Sequence, residues 1–331
     1  TSGTTGFSKG VMLPYRALWS NIDFAKGVLG KTIKKGDNTI SILPMAHMYG
    51  MSFEFLFEFL HGCHVFYLTR VPSPAIIAQA FKDVKPAIVI AVPLVIEKII
   101  RKKVFPQIQN TKVKLLMKMP GVGKKVKKRI CEQVYQAFGG NLYEVIIGGA
   151  ALNQEIESFL KDIDFPFTVG YGATECAPII TYSDWHDFVP MSCGREVVHM
   201  EVKIDSENPE TVPGEILARG LNVMLGYYKN DEATAQTIDK DGWYHTGDLG
   251  LMDKGGNVFI KGRSKNMLLG PNGQNIYPEE IEDKLNSMTF AMESVVVQRD
   301  GKLVGLVHPD FDEVQAMGLS RDDLQSLMEE N

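Results

Sequence analysis

The chain has 331 residues, 44% of them hydrophobic, enough to bury a sizeable core and, at about 150 residues per domain, to build two domains. Its 35 Lys and Arg against 40 Asp and Glu give a net charge of −5, which argues against a globally basic nucleic-acid binder. Cys63, Cys131, Cys176 and Cys193 lie far apart with no C-x-x-C pair, so neither a zinc knuckle nor a disulfide framework is suggested, and a cytoplasmic location is the simplest expectation. The most apolar window, 86–100, is interrupted by Pro93, Glu97 and Lys98 and falls short of the roughly 20 apolar residues of a spanning helix.

The chain opens on TSGTTGFSKGV, residues 1–11, with no charged and apolar leader of a signal peptide ahead of it. Three glycines and five hydroxyl side chains around Lys9 make a loop whose amides, hydroxyls and ammonium suit a polyphosphate; a plain Gly/Ser linker is the competing reading. Ser8 stands where a Walker loop has its second glycine, which disfavours that class of NTPase. A loop of this kind normally follows a strand, so the expectation is an internal fragment of a longer protein.

Short runs rich in β-branched and aromatic residues predict strands at 39–43, 64–68, 87–92, 143–147 and 165–169, alternating with helical stretches. That alternation predicts an α/β fold with parallel pairing. Between them, residues 98–129 hold 12 Lys and Arg and no acid, so the rest of the chain sets 23 basic against 40 acidic residues, a balance of −17. Val126, Ile130, Val134 and Phe138 step by four, giving one apolar stripe on a helix that is otherwise basic. Two readings stand: a solvated helix packing its stripe on the domain, or a surface for an anionic membrane or acidic partner.

The strand at 143–147 runs into Gly148-Gly149-Ala150-Ala151, small residues that let backbone approach a ligand. The next strand ends in Gly170-Tyr171-Gly172-Ala173-Thr174-Glu175, where two glycines free the Tyr171 ring to face a flat ligand and Glu175 offers a hard oxygen suited to magnesium. From about 190 to 262, Gly, Asp, Asn and Pro punctuate short strands such as 215–218 and 257–260, a β-rich texture. There Gly242-Trp-Tyr-His-Thr-Gly-Asp248 puts a carboxylate after a turn, with Arg263 following, a pair able to hold ribose hydroxyls. Taken singly, these residues read equally well as a core tyrosine, a turn aspartate and a surface arginine. A boundary is expected at 263–265. Beyond it come a helix at 279–285 and strands at 294–297 and 302–307 joined through Asp300-Gly301, then a helix start near Ser320 shortly before the last residue, Asn331.

In this order and spacing, the pieces resemble the adenylate-forming (acyl-activating, AMP-binding) superfamily, and the basic stretch with GGNLYEVIIGGAAL is most similar to long-chain fatty acyl-CoA synthetases. The resemblance implies a large α/β domain over 1–262, incomplete at its N-terminus and carrying the β-rich subdomain of about 190–262. A hinge and the start of a small α+β C-terminal domain would follow over 263–331. By resemblance, Thr1, Ser2, Gly3, Thr4, Thr5, Gly6 and Lys9 hold the phosphates of ATP. Gly148, Gly149, Ala150 and Ala151 form the adenine loop, and Gly170, Tyr171, Gly172 and Thr174 the aromatic motif, with Tyr171 stacked on adenine. Glu175 then binds Mg2+, Asp248 and Arg263 grip the ribose, and Lys265 is the pivot of the small domain. His47, in the LPMAHMYG acyl-pocket segment 43–50, lies near the substrate carboxylate; a core or capping histidine is its bland alternative.

The implied chemistry is attack of a fatty-acid carboxylate on ATP to give acyl-AMP and pyrophosphate, then transfer to CoA with release of AMP. An amino-acid substrate is disfavoured because segment 43–50 has no acid to pair an ammonium. A carrier-protein thiol in place of CoA, and a non-catalytic nucleotide-binding module, are the alternatives. Ser8 replaces the family's usual proline and Asn266 a common aspartate, and the family's C-terminal adenylation lysine has no counterpart. The resulting expectation is nucleotide binding with little adenylation by this chain. The expected partners are a fatty acid, CoA and, through residues 98–129, an anionic membrane surface, with no nucleic acid.

Overall fold

The structure, a computed structural model, describes residues 8–69, 73–108, 115–117, 119–269, 275–286, 288, 291–299, 301–311, 314 and 318. The predicted strands form and pair in parallel. Asn38–Ser41 lies beside His64–Tyr67, and Glu144–Ile147 runs between Ile88–Ala91 and Phe167–Val169. Ile88–Ala91 and Glu144–Ile147 are buried at every position, which is why they read as continuous β-branched runs without polar alternation. The Ala87 amide donates to the Asn38 carbonyl at 2.9 Å and so links the two sheets.

Helices cover these strands. Pro74–Val84 starts at Ser73, whose hydroxyl accepts from the Ile76 amide, and buries Ile77, Ala78 and Phe81. Val122–Ala137 presents the stripe foreseen in its sequence: Ile130, Val134 and Phe138 are buried, and Val126 packs against the same core. Phe138 stands between Phe81 and Phe165 with ring centroids 5.3 and 5.4 Å away. The stripe therefore faces protein, and the apolar half of the membrane reading does not rest on it.

Three buried glutamates stand out here, and two of them brace the helix that follows residues 43–50. This helix begins with wide turns at Gly50–Phe57 and continues through Glu58–His61. Glu54 accepts from the Ile42 and Leu43 amides and the Ser41 hydroxyl, and Glu58 accepts from Thr39 at 2.6 Å, so both tie the helix to the strand Asn38–Ser41. Burial pushes the Glu54 carboxyl up to about 7. The third, Glu144, begins its strand fully buried and receives the Tyr182 hydroxyl at 2.8 and 2.9 Å from its two oxygens.

The β-rich region is a four-stranded antiparallel meander of Met200–Asp205, Gly214–Gly220, Tyr244–Met252 and Val258–Arg263. Met200, Val202 and Ile204 point inward and alternate with exposed neighbours, as a sheet with one wet face requires. Farther on, the helix Pro278–Asn286 precedes the hairpin Ala291–Arg299 and Lys302–Pro309, with Arg299 opposite Lys302 across the expected turn.

Candidate active site

Parallel sheets leave their ligand sites beyond the carboxyl ends of the strands, where loops rather than neighbouring strands meet the backbone. Gly148 follows Ile147 there, and Gly170 follows Val169. Both line a cavity of about 520 Å³, together with Lys9, His47, Gly149, Tyr171, Gly172, Thr174, Glu175, Asp248, Arg263 and Lys265. Twelve residues assigned from the sequence thus share one crevice. Ala150 and Ala151 do not line it: both are exposed on the turn beyond Gly149. Thr1, Ser2, Gly3, Thr4, Thr5 and Gly6 lie outside the described residues.

One end of the cavity is polar. Asp248 is buried, and the backbone register sets it opposite Arg263 at the ends of adjacent strands. Its Oδ2 accepts from the Tyr171 hydroxyl at 2.6 Å and its Oδ1 lies 3.1 Å from the Arg263 Nε. Burial raises the Asp248 carboxyl above its ordinary value, while the Tyr171 donor and the Arg263 cation pull it down. Burial, and then the Asp248 charge, push the Tyr171 phenol well up, so its proton stays on the tyrosine. The turn before Asp248 is held by Glu215, which accepts from the Gly247 amide at 2.9 Å and meets the His245 Nδ1 at 2.9 Å.

Glu175 sits in the short helical turn Thr174–Cys176 and is buried. Neighbouring elements anchor this turn by its backbone. Asn21, from helix Tyr15–Val28, donates to the Cys176 carbonyl and accepts from the Ile179 amide, Ser52 donates to the Ala177 carbonyl, and the Met224 amide donates to the Glu175 carbonyl. The Tyr227 hydroxyl donates to Glu175 Oε1 at 2.8 Å, and Lys9 Nζ stands 4.4 Å from the Tyr227 ring centroid. Tyr227 reaches this place because Gly226–Tyr227 pairs with Val11–Met12, just past the Gly/Ser/Thr loop. Among the described residues, Glu175 Oε2 accepts no hydrogen bond.

Other parts of the lining are apolar: Phe24, Leu29, Phe53, Ile90, Ile179 and the ring of Tyr182. Tyr49 and His47 line the cavity as well. The Tyr49 hydroxyl donates to the Ile146 carbonyl at 3.1 Å, and a Cβ on Gly148 would come within 3.2 Å of the Tyr49 ring, so glycine lets ring and strand end close up. The exposed His47 accepts the Tyr49 amide on Nδ1 at 3.2 Å; in the neutral ring this leaves the proton on Nε2.

Sequence reasoning missed Tyr227, Asn21, Ser52, Tyr49 and Glu215. Each acts through a contact with a residue distant in the chain, and only Tyr49 stands in a segment that the sequence marks, residues 43–50. It also missed the bond from Tyr171 to Asp248, which joins two motifs 77 residues apart.

Comparison with known proteins agrees with this geometry. The chain is 29% identical over 333 residues to the long-chain-fatty-acid CoA ligase ACSBG2 of Rattus norvegicus, and 30% identical over 326 residues to the long-chain-fatty-acid CoA ligase of Escherichia coli O6:H1. These alignments cover 92% and 96% of this chain but 48% and 49% of the relatives, so the chain spans about half their length. Among solved structures, ATP-bound MatB from Rhodopseudomonas palustris matches with a TM-score of 0.72 at 25% identity, covering 98% of this chain and 61% of that one. O-succinylbenzoate Coenzyme A Synthetase (MenE) from Bacillus subtilis in complex with AMP matches at 0.73 and 21% identity, over 98% and 62%, a likeness of fold alone. Residues 1–228, well over half of the chain, match the AMP-binding enzyme family, and the protein that carries this crevice belongs to it.

Proposed function

We propose that the cavity is the adenylate and acyl site of an ATP-dependent acyl-CoA ligase acting on a fatty acid, with a long chain favoured by the named relatives. The observation that carries this reading is the convergence of Lys9, His47, Tyr171, Glu175, Asp248 and Arg263 on one crevice that is also lined by Phe24, Leu29, Phe53 and Ile90. Asp248 and Arg263 hold the ribose hydroxyls, Tyr171 lies along the adenine, and Gly148 and Gly149 let it approach the strand end. The apolar end takes the acyl tail. His47, with its Nε2 proton, donates to the substrate carboxylate and holds it near the α-phosphate.

Lys9 and the hydroxyl-rich loop before it offset the charge of the phosphates. Among the described residues no group of three or more His, Cys, Asp and Glu could hold a metal alone. The free Oε2 of Glu175 fits a magnesium ion that takes its remaining ligands from phosphate and water. Such an ion supplies charge neutralisation along the triphosphate. Lys265, immediately after the Arg263 strand, serves as the pivot between adenylation and thioester formation, with CoA as the thiol.

Isothermal titration of the chain with AMP, and with acyl-sulfamoyl adenosines of increasing chain length, tests this reading. AMP should bind, affinity should climb as the acyl group lengthens into the apolar end, and Asp248→Ala should lose most of the AMP affinity. Unchanged AMP binding by Asp248→Ala, or no gain from the acyl group, would overturn it.

A further inference from the structure

The basic segment offers a surface that the active site does not use. Residues 115–117 and 119–123 are folded back on one another by hydrogen bonds: the Met119 amide donates to the Leu116 carbonyl at 3.2 Å and the Gly123 amide to the Met119 carbonyl at 2.8 Å. Gly123 makes this fold-back possible, since a Cβ there would fall 2.4 Å from the Met117 carbonyl oxygen. The turn exposes four large apolar side chains together: Leu115 (65%), Leu116 (38%), Met119 (44%) and Val122 (43%). Isolated exposed leucines are ordinary, whereas a cluster on one turn marks a contact site.

Next to this knuckle begins the helix Val122–Ala137. Lys124, Lys125, Lys128 and Arg129 are all exposed, and helical spacing puts them opposite Ile130 and Val134, which are buried. Among the described residues none of these four forms an ion pair; Lys127, by contrast, pairs with Asp162 at 2.5 Å. The first turn of the helix holds no acid, although the partial positive charge of a helix N-terminus favours acids and disfavours lysines. A local rule broken without a compensating protein contact points to something outside the fold that supplies the negative charge.

We propose that the knuckle of Leu115, Leu116, Met119 and Val122 and the basic face at 124–129 together form a docking surface for an anionic lipid bilayer. Apolar side chains flanked by unpaired lysines match the layering of a bilayer, with headgroup phosphates and carboxylates outside and acyl chains beneath. A nucleic acid would satisfy the lysines and leave the leucines in water. The surface differs from the stripe read in the sequence: the stripe is core, and the apolar contribution comes from the turn before the helix.

The test is co-sedimentation of the chain with phosphatidylcholine vesicles, with and without phosphatidylserine. Binding is expected to the anionic vesicles and to fall with salt. Each lysine contributes about five-fold, so Lys124→Gln/Lys125→Gln/Lys128→Gln should bind about a hundred-fold more weakly. Leu115→Ser/Leu116→Ser should weaken binding by about ten-fold or more through lost apolar insertion. Both variants change exposed side chains, so thermal melts matching that of the parent chain certify their folds. Equal sedimentation with neutral and anionic vesicles would overturn the proposal, as would full binding by the lysine variant. Full binding by the leucine variant would overturn it too, because the apolar knuckle would then contribute nothing.

Discussion

Glu144 gives a sharp test of how the floor of the cavity is held. Its carboxyl is wholly buried, and its two oxygens share the hydroxyl of Tyr182, whose ring walls the apolar end. Burial pushes it up to about 8, against about 4.3 for a glutamate in an unfolded chain. Between those values the folded chain keeps a proton that the unfolded chain has released, so stability must fall as pH rises. The contribution is fully present below about pH 4.3 and is gone once the pH has passed about 8, with a slope of about 1.4 kcal/mol per pH unit. From about pH 4.5 to 7.5 the loss integrates to roughly 4 kcal/mol. Glu144→Gln keeps the shape and an acceptor for Tyr182 but cannot titrate. Urea unfolding at about pH 5.5, 6.5 and 7.5 should therefore show a pH dependence shallower by about 1.4 kcal/mol per unit in the variant, whose advantage grows with pH. Burial also pushes Glu54 and Glu157 up to about 7, and they add slopes of the same sign to both proteins, so the difference isolates Glu144. Parallel stability curves would show that Glu144 is ionised in the folded chain and that the reasoning fails.

Three further outcomes concern the polar end. Tyr171→Phe removes the 2.6 Å donor from Asp248, a charge-assisted bond worth about 1.5–3 kcal/mol, and so lifts the Asp248 carboxyl further. AMP binding, which uses the ionised form, should then be lost on acidification at a higher pH than in the parent chain, as titration calorimetry across pH would record; coincident profiles would refute it. In Gly172→Ala the new Cβ would lie 2.2 Å from the Pro178 carbonyl oxygen, backbone against backbone. The turn carrying Glu175 must shift, at a cost of about 1–3 kcal/mol, with a lower melting temperature and weaker AMP binding, so an unchanged melt would refute the close approach. Glu215→Gln weakens the charged anchor of Gly247 and His245. AMP affinity should drop by up to about ten-fold while 2′,3′-dideoxy-AMP is spared, because Glu215 acts by positioning Asp248; equal losses for both nucleotides would assign it a general structural role.

What the sequence disclosed follows from the range of the forces involved. Buried parallel strands such as Ile88–Ala91 are legible because every position must be apolar, and the crevice residues because glycines, a carboxylate and a hydroxyl recur at short spacing. Residues 51–60, MSFEFLFEFL, are illegible for the converse reason. Glu54 and Glu58 stand one helical turn apart and point inward to the amides and hydroxyls of residues 39–43. Phe59 and Leu60 are exposed instead. Local pattern cannot show this, because what satisfies the glutamates is a strand edge placed by the tertiary fold. Tyr227 escaped for the same reason: its bond to Glu175 spans 52 residues and depends on a two-residue strand pairing. Gly148 shows what a small residue can mark, since the Tyr49 ring approaches it closely, whereas Ala150 and Ala151 are exposed beyond the cavity lining.

The proposed pivot at Lys265 draws its plausibility from how thinly the following segment is fastened. Arg263 closes on Asp248 inside the crevice, and Ser264 donates its amide to the Gly247 carbonyl, so the strand end itself is firmly seated. Past Lys265, the helix Pro278–Asn286 meets earlier parts of the chain through Lys261 with Glu280, Asn266 with Glu279 and Asn153 with Asp283, at 3.0, 2.8 and 3.2 Å. The Lys261–Glu280 pair is partly exposed, and contacts of that kind contribute about 0–1 kcal/mol. Glu279 also keeps its Oε2 buried with no hydrogen-bond partner among the described residues, which opposes the arrangement by about 1–3 kcal/mol. Asp248 and Arg263 face each other on adjacent strands that end before residue 265. On the proposed function, rotation after residue 265 would leave their hold on the ribose in place, as a two-step reaction on one bound adenylate requires.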